Sequence, residues 1–195
     1  ERTRIFEQMI VPTLRRNHII FYQEPSEVEE AHKPYLQRYF TDEIFPYLQP
    51  VPICRGVVNT FLRDNRLYMA MRMKRQGQFD YFLLKLPYSK VPRFIELPKI
   101  EENYYIMFME DIIKPNIGMM FPGYDVDCSY CFKISRDADI FVDDAPTTEK
   151  IVEQLKKKVK KRKIGAVCRF VYDRHMPQDF LEYLKFLLIQ FCFVP

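Results

Sequence analysis

The sequence predicts an α+β fold: a mainly antiparallel, mixed sheet with helices packed against it. Three observations predict it. Strand-like runs joined by short turns cluster in the middle of the chain, between Leu67 and Ser135. Amphipathic helical spacing lies on either side of that block. Hydrophobic residues make up 48% of the 195 and charged residues 29%, the balance of a globular chain with one sizeable core, or two at most.

In chain order, Phe6, Met9, Ile10 and Leu14 set helical spacing through RIFEQMIVPTLRRN, with Pro12 as a kink point. HIIFY is a short strand. Ser26 and Glu29 form a capping-box pattern that predicts a helix through SEVEEAHKPYLQRYFTDEIF. Pro46, Pro50 and Pro52 break it. RLYMAMRMK places Leu67, Met69 and Met71 on one strand face and Tyr68, Ala70 and Arg72 on the other. RQGQ turns the chain, with Gly77 supplying the turn, and FDYFLLKL returns. RFIELP and YYIMFME follow, so the four strands read as a meander in one sheet. EDIIKPNIGMM is a short helix, FPGYDVD a Pro-Gly turn, and CSYCFKIS the next strand. TTEKIVEQLKKKVKKRKIG reads as a helix with Ile151, Leu155 and Val159 inward and Gly165 as its stop. AVCRFVY is a strand, and Met176–Pro177 opens the last helix.

No run of about twenty apolar residues is present, so no membrane-spanning helix is expected. The net charge of +4 permits a phosphate-rich partner without requiring one. Five scattered cysteines predict reduced thiols. Cys128 and Cys131 make a lone C-x-x-C inside a strand, with no second ligand pair for zinc and no helix start for redox chemistry; buried structural thiols are the expectation. The lysines of Lys156–Lys163 read as the solvated face of an amphipathic helix, favoured near its C-terminus by the dipole. The three histidines, His18 in a strand pattern, His32 on a polar helix face and His175 in a turn, stand near no nucleophile motif and read as structural. Five glycines include no phosphate-cradling loop. Arg136 sits among Asp137, Asp139, Asp143 and Asp144, which reads as an ion-paired corner ahead of a helix rather than a metal site. The chain begins at Glu1 in helical pattern and closes on FLEYLKFLLIQFCFVP, apolar for a free end, so a piece of a larger protein is expected.

Five segments, taken in order, resemble the middle or head domain of the histidine-autophosphorylating polyphosphate kinases. They are LQRYFTDEIFPYLQP, KVPRFIELP, EDIIKPNIGMMFPGYDV, SRDADIFVDD and KKRKIGAVCRFVYDRHMP. The resemblance implies an intact cytoplasmic enzyme, open to peripheral membrane association, that reversibly transfers the ATP γ-phosphate to inorganic polyphosphate through a phosphohistidine, with Mg²⁺. It implies residues 1–17 as the last helix of a helical N-terminal domain, 18–190 as the head domain and 191–195 as the start of a linker to catalytic domains. None of His18, His32 or His175 matches the phospho-accepting position, so no catalytic, cofactor-binding or metal residue is carried over. ATP and Mg²⁺ belong to the absent domains, this segment alone is expected to be inactive, and its implied role is domain packing in a homodimer or homotetramer, without nucleic acid. The rival readings are a stand-alone module binding RNA or another polyanion through Lys156–Lys163, and a small enzyme using Cys128/Cys131 or the aspartates.

Overall fold

The computed structural model describes residues 2–53, 61–136 and 167–192. The chain forms two compact units, Glu1–Gln49 with Leu86–Asp125 and Pro50–Lys85 with Val126–Pro195. The α+β class and the predominance of antiparallel pairing hold. The expected single sheet does not: the described residues form two. A meander predicts that FDYFLLKL pairs with RFIELP, whereas each strand instead joins the sheet of its own unit.

In the first unit, helix α1 spans residues 2–16 and contains a π turn at Phe6–Ile10. The turn explains how Pro12 is tolerated. Val11 N–H reaches back to the Phe6 carbonyl, widening the helix one residue before the proline that cannot donate. Strands β1 (Ile19–Tyr22), β5 (Phe94–Ile100) and β6 (Asn103–Phe108) form a three-stranded sheet ordered β1-β6-β5. β1 lies parallel to β6 and β5 antiparallel to it, so the sheet is mixed. Pro98 sits in β5, an edge strand, where its missing N–H is harmless.

The long helix expected from Ser26 is replaced by separate pieces. Pro25 fixes the start of a 3-10 turn, so the capping box forms between Glu24 and Glu27 rather than Ser26 and Glu29. Val28 and Glu29 are extended, and the α-helix α2 begins only at Lys33, running to Tyr39. A second π turn follows at Phe40–Ile44, where Phe45 N–H reaches the Phe40 carbonyl one residue before Pro46. Helix α3 (Met109–Ile113) packs against this turn and continues as 3-10 helix through Lys114–Met120.

In the second unit the sheet order is β2-β4-β3-β7-β8, with β2 Val51–Pro52, β3 Leu67–Arg75, β4 Gln78–Lys85, β7 Asp125–Arg136 and β8 Val167–Tyr172. The β3–β4 hairpin closes on two residues, Gln76 and Gly77, both at positive φ (51° and 82°), the left-handed pair of a type I′ turn. β3 alternates as expected but is buried on both faces, with Tyr68, Met69, Ala70, Met71 and Met73 all fully covered. Tyr68 and Ala70 join a core with Leu83, Phe132, Phe180 and Leu184. The Tyr68 hydroxyl is satisfied: it donates to the Phe61 carbonyl at 3.0 Å and accepts Arg63 N–H at 2.7 Å.

Helix α4 (Gln178–Cys192) turns Phe180, Leu181 and Leu184 into that core. The sequence suggests more apolar area than one domain needs on this helix. Among the described side chains, Phe180, Leu181, Leu184 and Leu187 are buried and Phe186 is exposed at 55%. No helix among the described residues is long and apolar enough to cross a membrane.

Candidate functional site

The sequence singles out three histidines, and each has its own local partners. His18 lies at φ 59° just before β1, with Nδ1 3.3 Å from Asn103 Oδ1. His175 sits in an exposed turn, 3.3 Å from Asp173, and its Nε2 accepts from Arg174 Nε–H at 3.2 Å. His32 corrects the expectation of a polar helix face, because it is only 1% exposed. The 3-10 turn Glu30–His32 rotates it inward while Glu30 stays out. Its Nε2–H donates to the Pro98 carbonyl at 2.8 Å, and Nδ1 accepts from the Tyr22 hydroxyl at 2.9 Å. That hydroxyl accepts Glu29 N–H at 3.2 Å. The ring fastens β5 to the segment after β1, with every polar atom paired, and so reads as structural.

Cys128 and Cys131 are free thiols three positions apart in β7, and so on opposite strand faces. Cys128 packs on the core, and burial pushes its thiol up to about 11, the reverse of a reactive cysteine. Among the described residues no group of three or more His, Cys, Asp and Glu is placed to hold a metal ion. The side chain of Arg136, the aspartates Asp137 to Asp144 and Lys156–Lys163 lie outside the described residues.

The structure brings together side chains that sequence reasoning did not single out. Arg93, just before β5, and Glu110, in the first turn of α3, form an ion pair in which Nε and Nη2 both donate to Oε1, at 2.9 and 2.6 Å. Tyr88 O–H donates to Oε2 at 3.2 Å, and the guanidinium lies 4.6 Å from the Phe108 ring centre. Glu110 is buried and Arg93 about half exposed. The backbone repeats the link, with Met109 N–H donating to the Arg93 carbonyl at 2.8 Å. The signal was present in KVPRF and EDII, two cations and two acids in separate segments, but nothing local pairs Arg93 with Glu110.

The neighbouring Asp111 is also buried, facing Lys114 at 3.0 Å. Burial raises its pKa, more than Lys114 lowers it. An acid whose folded pKa is raised stabilises the fold below its unfolded pKa and loses that contribution as pH rises through the folded value. Asp111→Asn is therefore expected to raise the melting temperature at neutral pH, by about 2–4 °C for each kcal/mol relieved. The gain should shrink as pH falls through that raised value and be gone by about pH 4. Thermal melts of both proteins across pH check this, and a neutral-pH loss would refute it.

In the second unit, Arg72 ties three elements. From β3 it donates Nε–H to Asp127 of β7 and Nη1–H to Asp179 of α4, with its plane near the rings of Phe79 and Phe180. Its hydrogen bonds hold both aspartates below their usual range. This arrangement pins a helix start.

A family model, the polyphosphate kinase middle domain, matches residues 31–188. Among curated proteins, the chain is 31% identical over 185 residues to a polyphosphate kinase of Vibrio vulnificus, covering 92% of this chain and 26% of that protein. It is 28% identical to one of Dictyostelium discoideum, covering 93% and 17%. Among solved structures, the crystal structure of polyphosphate kinase from Porphyromonas gingivalis superposes with a TM-score of 0.73 at 37% identity, over 93% of this chain and 25% of that one. The chain thus spans about a quarter of the length of the Vibrio and Porphyromonas proteins.

Proposed function

Since the chain belongs to the polyphosphate kinase family, matching its middle domain, we propose that it is the non-catalytic head of an enzyme that reversibly moves the ATP γ-phosphate onto inorganic polyphosphate. In this reading the transfer runs through a phosphohistidine with Mg²⁺, and both the histidine and the nucleotide and metal ligands belong to other parts of the intact protein. The head packs those parts and contributes to a dimer or tetramer in the cytoplasm.

One observation carries the reading. Arg93 of KVPRF and Glu110 of EDII, from two family-like segments, bind each other, and His32 has both ring nitrogens paired. Phosphoryl transfer needs cations aimed at a phosphate and a nucleophile free to attack. These groups are instead used to join β5, α3 and the segment after β1.

Labelling tests it. With ATP carrying labelled γ-phosphate and Mg²⁺, the intact enzyme should become an acid-labile phosphoprotein, while this chain stays unlabelled. Sedimentation should show the chain self-associating. Stoichiometric label on His18, His32 or His175 would overturn the non-catalytic assignment, and a strictly monomeric chain would remove the support for a role in assembly.

A further inference from the structure

A cavity of about 340 Å³ opens in the first unit, against α2 and α3. Its volume falls in the range of small-ligand sites. Much of its wall is apolar, from Val28, Leu36, Met107 and Ile112. Asp111, Gln37 and Asn116 supply polar groups.

Each of those three has one end occupied. Asn116 Nδ2–H donates to the Ile112 carbonyl at 2.9 Å, and Gln37 Nε2–H points to the Met119 sulfur at 3.6 Å. Asp111 Oδ1 accepts from Lys114 at 3.0 Å. An oxygen remains in each case: Asn116 Oδ1, Gln37 Oε1 and Asp111 Oδ2 have no partner among the described residues, and each amide keeps one further N–H. Asp111 is only 8% exposed, so its open oxygen is one that the fold hides from bulk water.

The charges decide what suits such a site. Lys114 offsets one negative charge at Asp111. Arg93 neutralises Glu110, and Lys33, which also lines the cavity, is paired with Glu30. Glu24 acts on Asp111 as a further negative charge, and its carboxylate accepts from the backbone N–H of Glu27. The surroundings thus keep a negative surplus, and the open oxygens of Asp111, Gln37 and Asn116 are all acceptors. An anion would meet the Asp111 carboxylate. A quaternary ammonium, with no N–H, donates to none of them, whereas a primary ammonium can donate to all three.

We propose that this cavity binds a small aliphatic amine, its primary ammonium on Asp111 and its methylenes on Val28, Leu36, Met107 and Ile112. Gln37 and Asn116 take the remaining N–H donors. The site lies wholly in the first unit and does not depend on where the catalytic groups of the intact protein are.

Calorimetric titration of the chain at constant ionic strength tests it, with 1,4-diaminobutane as the probe. Tetramethylammonium, charged but without N–H, and inorganic phosphate serve as contrasts. Saturable one-to-one binding of the diamine is expected, with at least ten-fold weaker binding to Asp111→Asn. Gln37→Leu should weaken it about five-fold, the worth of roughly one hydrogen bond. Asp111→Asn is expected to melt no lower than the parent, so lost binding reports the site rather than the fold. Equal affinity for tetramethylammonium, diamine binding unchanged in Asp111→Asn, or preferential uptake of phosphate would each overturn the proposal.

Discussion

Arg93→Met is expected to destabilise the chain by about 3 kcal/mol, at the lower end of what removing one partner of a buried ion pair costs. The asymmetry of the pair sets the size. The Glu110 side chain is 6% exposed and the Arg93 side chain 46%. Without Arg93, the carboxylate stays buried with the Tyr88 hydroxyl as its remaining side-chain donor among the described residues. It must ionise unpaired or take up a proton. Glu110→Gln leaves a half-exposed guanidinium that water already reaches, over the face of Phe108, and should cost clearly less. The double variant should be less damaged than the sum of the two, since it removes both charges together. Urea unfolding of the four proteins measures this. Equal costs for the two single variants, or a cost for Arg93→Met within about 0.5 kcal/mol of zero, as at ordinary surface positions, would show that the pair does not hold β5 to α3.

Much of this fold can be read from the sequence, because the strands announce themselves. RLYMAMRMK and FDYFLLKL turn on RQGQ, and the hairpin forms there with left-handed Gln76 and Gly77. What sequence does not show is which strands share a sheet. β5 and β6 follow β4 with no change of pattern, yet β6 pairs in parallel with β1, which lies more than eighty residues earlier. Long-range pairing of this kind leaves no local trace. The helix boundaries are hidden for a different reason. Val11–Pro12 and Phe45–Pro46 both read as interruptions and both follow a π turn, but the helix runs on through Pro12 to Arg16 and ends after Pro46 at Tyr47, as expected there. His32 shows the limit at the site. Its charged neighbours Glu29, Glu30 and Lys33 mark the segment as polar, but a 3-10 turn has a different period from an α-helix and carries the imidazole inward. The Arg93–Glu110 pair and the open oxygens beside Asp111 are likewise products of tertiary packing, visible only once α3 is seated beside β5.

The C-terminal helix provides the second large effect, through two phenylalanines six residues apart. Phe180 is fully buried among Tyr81, Tyr130 and the β3 core, and Phe186 is 55% exposed. Phe180→Ala is expected to cost about 3–5 kcal/mol, because the lost ring leaves a cavity that a sheet and a helix cannot close together. It also removes one face of the stack that holds Arg72 to Asp127 and Asp179, so the helix start loses part of its anchor with the same change. Phe186→Ala should change stability by no more than about 0.5 kcal/mol. The contrast tests how the apolar stripe is divided. If it faces inward through Phe180, Leu181 and Leu184, the two variants must differ by several kcal/mol in denaturant melts of the chain alone. If Phe186→Ala proves as costly as Phe180→Ala, the outer face is also packed in this chain, and the stripe is not split between a buried and an open side. A lower sedimentation coefficient for Phe186→Ala with unchanged melting would instead place that ring in the self-association expected of a head domain, the one outcome that connects the exposed side of this helix to assembly rather than to folding.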